Sequence, residues 1–421
     1  VRLGNKEADL PVLQLMNEDV PVLSFSYDAG LHRTQNIVSV DNLDYAPVSM
    51  VSKDGSTSPE DLDWWWRHRS IPASRARLRL VADKLGVEDL AVLVERSLAL
   101  SLSDRYWVRP HGSCLAWSDV DFYDNPFSDK LGVLTLTPSS GIDGTLAGDD
   151  LMTPNSTAGG DVPKKWCVAG DGTRLLLKAG TPLFDQDVYN EVAATCLYDA
   201  TLAKGSYVSY RLFESPTQVF CGCEEFLGDH EEYVSCADVL RRYRDDGSFG
   251  TYQHTVDSLC EVSGLDVEAI RERMSMMFSL DALLANFDRH AGNFGLIRDT
   301  ETLVYKRFAP LFDAGASLWC DKRRLSAPSD YDYEPRPFAG FGFGDQWRRL
   351  RLFDDYRWLP SGVDLDAWAQ ETLRVLSLNP LMPDERLEAV SRGIDLNILN
   401  FRRHLERTAR SSSPVKAAPC R

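Results

Sequence analysis

Asp288-Arg-His-Ala-Gly-Asn293, followed by Asp313 within Ala309-Pro-Leu-Phe-Asp-Ala-Gly315, is the stretch on which the reading of this chain turns. An aspartate can orient a hydroxyl nucleophile and take its proton late, once transfer of a phosphoryl group has made that hydroxyl acidic. An asparagine five residues on and a second aspartate beyond a hairpin are hard oxygen ligands of the kind that hold Mg²⁺ on the phosphates of ATP. The pattern points to phosphoryl transfer, with Asp288 as the catalytic residue and Asn293 and Asp313 as the metal ligands. Between them, His290 is expected to be buried and bonded within the loop. For Arg289 two roles stay open, pairing with an acidic neighbour or contact with substrate.

The elements upstream come in the order that phosphotransferases of the kinase type use. Ser156-Thr-Ala-Gly159-Gly160-Asp-Val-Pro-Lys164-Lys165 is rich in small residues. Glycines let backbone amides approach phosphate, and the amides of a tight turn form an anion nest. Ser156, Thr157, Ala158, Gly159 and Gly160 are therefore cofactor-binding candidates. Lys178 closes the run Leu175-Leu-Leu-Lys178 and is a second catalytic candidate, a cofactor-binding residue that would neutralise phosphate, with Glu191 on the following helix as the carboxylate that fixes it in the cofactor site. Cys223-Glu224-Glu225-Phe226 leaves a strand for a polar stretch, so Glu224 and Phe226 mark a candidate hinge that would hold adenine through backbone groups.

Residues 1–136 mix strand-like runs, over 20–27 and 36–40, with helices. Ser58-Pro59 starts a helix that carries Trp64-Trp-Trp66, two of which are expected in a core with the third capping it. A second helix is expected over 74–84, and 101–107 reads as a buried turn. Residues 137–150, rich in Gly, Ser and Asp, read as a linker. Residues 151–228 form a β-rich stretch. Gly170-Asp-Gly172 turns a hairpin, and a helix over 185–200 carries Val188, Val192 and Cys196 on one stripe. Residues 229–410 read as mostly helical. Asp266 caps a helix with Ile270, Met274 and Met277 inward, a hairpin surrounds Arg298-Asp299, and Leu365, Trp368 and Thr372 mark another helix. Pro383 starts a helix that Gly393 ends, and Ile394 starts the last. Residues 411–421 read as a disordered tail. The fold class expected is α/β (α+β). It is a protein kinase-like bilobal fold with a β-rich small lobe, a helical large lobe and an extra mixed α+β amino-terminal domain for substrate or partner recognition.

Composition narrows the setting. With 421 residues there is ample core for two or three domains. The net charge of -17 argues against direct nucleic-acid binding and against adhesion to anionic membranes. No apolar stretch approaches the length of a membrane span, and Val1-Arg-Leu-Gly-Asn5 lacks a signal-peptide core. Nine scattered cysteines suit reduced thiols, so a cytoplasmic location is expected. Cys221-Gly-Cys223 has poor zinc spacing and reads as part of a strand.

With these residues in hand, the chain resembles the HipA-like serine/threonine kinases of bacteria over roughly residues 150–410. The resemblance is carried by Ser156-Thr-Ala-Gly159, Leu175-Leu-Leu-Lys178, Asn190-Glu191, Glu224-Glu-Phe226, the run from Leu284 to Gly295, and Ala309-Pro-Leu-Phe-Asp313. It implies a protein kinase-like fold, ATP and Mg²⁺ as cofactors, and phosphorylation of a protein substrate at serine or threonine. It also implies a toxin that pairs with an antitoxin-like partner, and a self-inhibitory phosphorylation for which Ser156 stands at the matching position. The first 140 residues do not match the family's usual amino-terminal domain. Two other readings compete: a phosphoinositide kinase-like lipid kinase, since Asp-Arg-His followed by Asn resembles that catalytic loop as well, and a pseudokinase that serves as a binding module.

Overall fold

The structure is a computed structural model that describes residues 10–72, 75, 81–83, 89–137, 146, 148–181, 183–244, 250–338 and 340–411. Two compact units emerge, and neither is one continuous stretch. The first comprises residues 1–179, 222–247 and 296–307, the second 180–221, 248–295 and 308–421.

The first unit opens with a four-stranded sheet in the order β3–β2–β1–β4, built from β1 (Val12–Asn17), β2 (Val20–Asp28), β3 (Arg33–Val40) and β4 (Tyr106–Pro110). The strand expected over 20–27 lies within β2. The turn expected over 101–107 ends in β4, where Trp107 pairs with Met16 and is fully buried. Helix α1 (Pro59–Arg69) begins as its sequence dictates: the Ser58 side chain accepts from the Asp61 amide and Pro59 sits in the first turn. Trp65 and Trp66 join Leu15, Leu23, Phe25 and Tyr106 in the core. Trp64 is half-buried and stacks on His68 at 3.8 Å. The three tryptophans thus divide as their amphipathic spacing requires.

Strands β5 (Lys164–Val168) and β6 (Arg174–Ala179) form the expected hairpin, in register from Val168↔Arg174 to Lys164↔Lys178. Gly172, at φ +90°, turns the chain in a conformation that only glycine adopts without strain. Strand Val219–Glu224 follows next to β6. Cys221 and Cys223 are buried within it. A third sheet has the order Tyr305–Phe308, Gly295–Asp299, Glu231–Ser235. The last of these strands lies in a region read from sequence as helical. Glu-Glu-Tyr-Val-Ser is short and acidic, and it becomes a strand because Glu232, 1% exposed, pairs with Arg298, which also donates to the Tyr106 hydroxyl at 2.6 Å.

The second unit is helical: α2 (Gln186–Thr201), α3 (Tyr252–Ser263), α4 (Val267–Leu284), α5 (Leu365–Ser377) and α6 (Asp384–Ser411). Asp266 caps α4 by accepting from the Glu268 and Ala269 amides, and Ile270, Met274 and Met277 point inward. On α2 the stripe read from sequence is only partly right. Val188 is buried, whereas Val192 and Cys196 are half-buried. Tyr189, Ala193, Ala194, Leu197 and Tyr198 complete a much broader buried surface, because α5 packs against α2 and Trp368 reaches the Ala193 carbonyl.

The helix stop read at Gly393 is corrected by the structure: α6 runs unbroken from Asp384 to Ser411. Gly393 is there for closeness. A Cβ at that position would lie 2.3 Å from Trp319 and 2.7 Å from Tyr331. Helix propensity alone favours Gly393→Ala by about 1 kcal/mol. Overpacking against a Trp that is 1% exposed opposes it by about 1–3 kcal/mol. The expected outcome in a denaturant titration is a net loss of stability; a gain would show that the helix–Trp319 contact is slack.

The helix expected over 74–84 lies largely outside the described residues, although 81–83 are helical. So do most of the linker read over 137–150 and, beyond Ser411, the tail.

Candidate functional site

In the second unit one buried arginine, Arg289, bonds the backbone of Asn293 and of Phe312, the residue before Asp313. Helix α4 ends at Ala285 in the left-handed region, φ +51°, and releases the chain into the loop 286–294. Asn286 returns to the helix, donating to Asp281 at 2.9 Å, and its own side chain accepts from the Asp288 amide at 3.1 Å. Arg289, fully buried, forks onto the Asp281 carboxylate at 3.0 and 3.1 Å. The remaining guanidinium nitrogen donates to the carbonyls of Asn293 at 2.9 Å and Phe312 at 2.6 Å. One side chain thereby ties helix α4, the carboxyl end of the Asp288 loop and the residue before Asp313. Burial works to lower the Arg289 guanidinium, but Asp281 beside it raises it further, so the charge is held. Of the two roles left open by sequence, the acidic pairing is the one found.

His290 corrects its expectation. It is exposed, and its ring nitrogen accepts from the Gly292 amide at 3.1 Å. The local bond is present but the burial is not: a short Asx-like turn needs only the acceptor nitrogen, and the ring lies in solvent. Asp288 is itself part-exposed and faces Arg336 at 3.4 Å. The Asn293 amide nitrogen is turned toward the Asp288 carbonyl at 3.5 Å. Asp313 adopts φ +60°, a backbone region that aspartate tolerates better than most residues.

Helix α2 braces the segment after Asp313. The Glu191 carboxylate, 3% exposed, accepts from the Ala314 amide at 3.0 Å. Asn190 donates to the carbonyls of Gly315 and Ser317, and Gln186 to that of Leu318. Gly315 is required by this approach, since a Cβ would lie 3.0 Å from the Asp187 carbonyl and 3.2 Å from Glu191. Burial pushes the Asp187 carboxyl up to about 6, against the opposing bonds from the Thr181 amide.

The other candidates lie in the first unit. Lys178, expected at a strand end, is 4% exposed on β6. Glu224 is exposed at the end of its strand, and Phe226 packs edge-on against Tyr233. Between them Glu225 pairs with Arg174 at 2.5 Å, and the Glu225 amide donates to the Arg174 carbonyl. In the glycine-rich segment Ser156, Thr157 and Ala158 are buried, whereas Gly159 and Gly160 are exposed. The Ser156 hydroxyl donates to the Leu151 carbonyl at 2.7 Å, and Thr157 to that of Leu100 at 2.5 Å. Among the described residues no cluster of three or more His, Cys, Asp or Glu could hold a metal ion, and no helix is long and apolar enough to cross a membrane.

No known protein-family model matches the chain. Over 43 residues it is 49% identical to the serine/threonine-protein kinase CtkA of Helicobacter pylori, a match spanning 10% of this chain and 13% of that protein. The solved structure of CtkA, described as a proinflammatory kinase, aligns with 61% of this chain and 94% of its own, at 15% identity and a TM-score of 0.48. HipA of Shewanella oneidensis MR-1, solved with HipB and operator DNA, aligns with 94% of this chain and 98% of its own, at 15% identity and a TM-score of 0.53. The chain has the HipA-type fold. The likeness to HipA-like kinases read from the motifs therefore holds for the fold, and it reaches further than residues 150–410. With 94% of the chain aligned, the HipA-type fold also takes in most of the first third, where sequence offered no match. Packing explains why: a sheet-and-helix core of the kind formed by β1–β4 and α1 tolerates wholesale exchange of hydrophobic residues, so its fold outlasts its motifs.

For Arg289, sequence reasoning offered an acidic pairing as one of two roles but did not name Asp281 as the partner or foresee the two carbonyls. Its signal was present. An arginine beside a catalytic-type aspartate, eight residues after Asp281 on a helix otherwise apolar toward its end, has a buried carboxylate within reach.

Proposed function

We propose that the chain is an ATP-dependent serine/threonine protein kinase of HipA-like type that uses Mg²⁺. The observation that carries the reading is the Arg289 tie, which joins the loop of Asp288 and Asn293 to the residue before Asp313. In this reading Asp288 orients the acceptor hydroxyl. As the new O–P bond forms and the bond to the ADP oxygen breaks, the hydroxyl proton passes to the Asp288 carboxylate. The donor set fits a hard divalent cation. Asn293 has its amide nitrogen turned to the backbone, which leaves its oxygen as the ligand atom, and Asp313 supplies carboxylate. When bound, Mg²⁺ would offset charge on the phosphates. Lys178 and the segment Ser156–Gly160 would meet the phosphates, Glu191 would hold its place through Ala314, and Glu224 and Phe226 would border the adenine.

A protein substrate and an antitoxin-like protein partner belong to the same reading. The Shewanella HipA assembly contains operator DNA as well as HipB. The net charge of -17 is thus no argument against a DNA-containing assembly here, in which a partner could make the contacts. A phosphoproteomic comparison of cells expressing the wild type and Asp288→Ala tests the activity. Phosphosites that depend on Asp288 are expected, and identical phosphoproteomes would overturn it.

Self-phosphorylation at Ser156 is part of the proposal. Its hydroxyl is fully buried and bonded to Leu151, so modification requires the segment to open. A phosphate there brings about -1.5 to -2 charge into a site meant for the phosphates of ATP. Mass spectrometry after incubation with Mg-ATP is expected to find phosphate on Ser156. Unmodified Ser156 and Thr157 in an otherwise active preparation would count against it.

A further inference from the structure

Residue 75 stands outside every motif of the sequence, yet its side chain is 2% exposed and reaches the glycine-rich segment. Its Nη2 donates to the carbonyl of Ala158 and to that of Gly159 at 2.8 Å, and its Nε to that of Gly160 at 2.8 Å. Three consecutive carbonyls thus converge on one guanidinium. No cis peptide occurs at these positions, and in a trans peptide the carbonyl and the next amide point in opposite directions. The amides of Gly159, Gly160 and Asp161 are therefore turned away from Arg75. All three residues are exposed. Gly160, at φ +84°, supplies the left-handed bend that such a run of amides needs.

We infer that Arg75 is a positioning residue that fixes the amide nest of Gly159, Gly160 and Asp161 for the phosphates of a nucleotide by holding the opposite face of the same three peptides. The inference rests on the kinase reading for its ligand, but its geometry is independent of it. The arginine works from behind the segment and touches no phosphate. Planarity and a fork of donors matter here, so lysine is a poor substitute. Burial lowers the Arg75 guanidinium to about 10 while Asp161 opposes that shift, so it stays charged at neutral pH. The segment before it has anchors of its own. Thr157 holds Leu100, and Asn155 bonds both the amide and the carbonyl of Trp166. Gly132 permits that approach, because a Cβ there would lie 2.8 Å from Asn155.

The test uses the full-length chain with Arg75→Lys, and Thr157→Val as a second variant that loosens the same segment from another anchor. Amide exchange of the peptide spanning Gly159–Asp161 is followed in the free protein, and the affinities for Mg-ATP and for adenosine are measured separately. Losing charge-assisted bonds should speed exchange there about tenfold or more in Arg75→Lys. Mg-ATP affinity should fall about tenfold while adenosine affinity stays within about twofold, since only the phosphate contacts are disturbed. Equal losses for both ligands would mean that Arg75 is merely structural and would overturn the inference, as would unchanged exchange with unchanged Mg-ATP affinity. If the wild type binds neither ligand, the kinase reading fails and with it the nest's proposed ligand. Exchange that still rises in Arg75→Lys would then show that the carbonyl clamp survives without that role.

Discussion

Asp288→Ala is expected to lower phosphoryl transfer about 10²–10⁴-fold while leaving the affinity for Mg-ATP nearly unchanged. Asp288 lies part-exposed on the loop that Arg289 anchors, and its carboxylate faces the exposed Arg336. Removing its carboxylate therefore takes away an interaction with the reacting hydroxyl and little of the fold. A loss of about a thousandfold corresponds to about 4 kcal/mol of transition-state stabilisation. Asp313→Ala should behave differently. As a proposed Mg²⁺ ligand it contributes in the ground state too, so KM for Mg-ATP should rise together with the fall in kcat. The measurement is steady-state phosphorylation of a protein acceptor with ATP titrated at fixed Mg²⁺, alongside direct nucleotide binding. Equal transfer by wild type and both variants, with equal nucleotide affinity, would favour the pseudokinase reading. Transfer to a lipid headgroup in preference to protein would favour the lipid-kinase reading.

Arg289→Met is expected to be the most destabilising single change in the second unit, by about 3–5 kcal/mol. The guanidinium and the Asp281 carboxylate are both buried, and truncating one leaves the other charged with, among the described residues, the Asn286 amide to bond it. Two backbone carbonyls, of Asn293 and Phe312, lose their donor at the same time. Arg289→Lys should recover only part of the loss, since a single ammonium cannot reproduce a fork onto carboxylate and a bond to two carbonyls at once. The double variant Arg289→Met, Asp281→Leu should be less destabilised than Arg289→Met alone, because it removes the stranded charge. Denaturant titration followed by tryptophan fluorescence measures all three. Wild-type stability in Arg289→Lys would mean that the tie is slack and that the Asp288 loop is held by other contacts.

The pieces read without a structure were those governed by local rules. Ser58-Pro59 and Asp266 set helix starts through capping, Gly172 set a hairpin turn, and the placing of three consecutive tryptophans on one amphipathic helix set that two rings enter the core and one caps it. Each depends on neighbours within one helical turn or one hairpin, so the chain itself carries the information. Gly393 misled for the converse reason. Glycine stops helices when nothing else decides, but here the decision lay with Trp319, more than 70 residues away in sequence. The strand Glu231–Ser235 was missed because two adjacent glutamates look exposed until Arg298 and Arg307 are placed beside them.

The candidate site divides along the same line. The residue types and their order, Lys178, Glu191, Asp288, Asn293 and Asp313, were determined by the sequence alone, because the chemistry of phosphoryl transfer admits few side chains and its order along the chain is local information. What holds the residues of the second unit together was decided only by the tertiary structure. Arg289 is one of many arginines until Asp281 and the carbonyls of Asn293 and Phe312 surround it, and Arg75 is unremarked until three carbonyls turn toward it. A buried guanidinium is stable only where several acceptors converge from separate segments, and convergence of that kind exists in the folded chain and nowhere in its linear order.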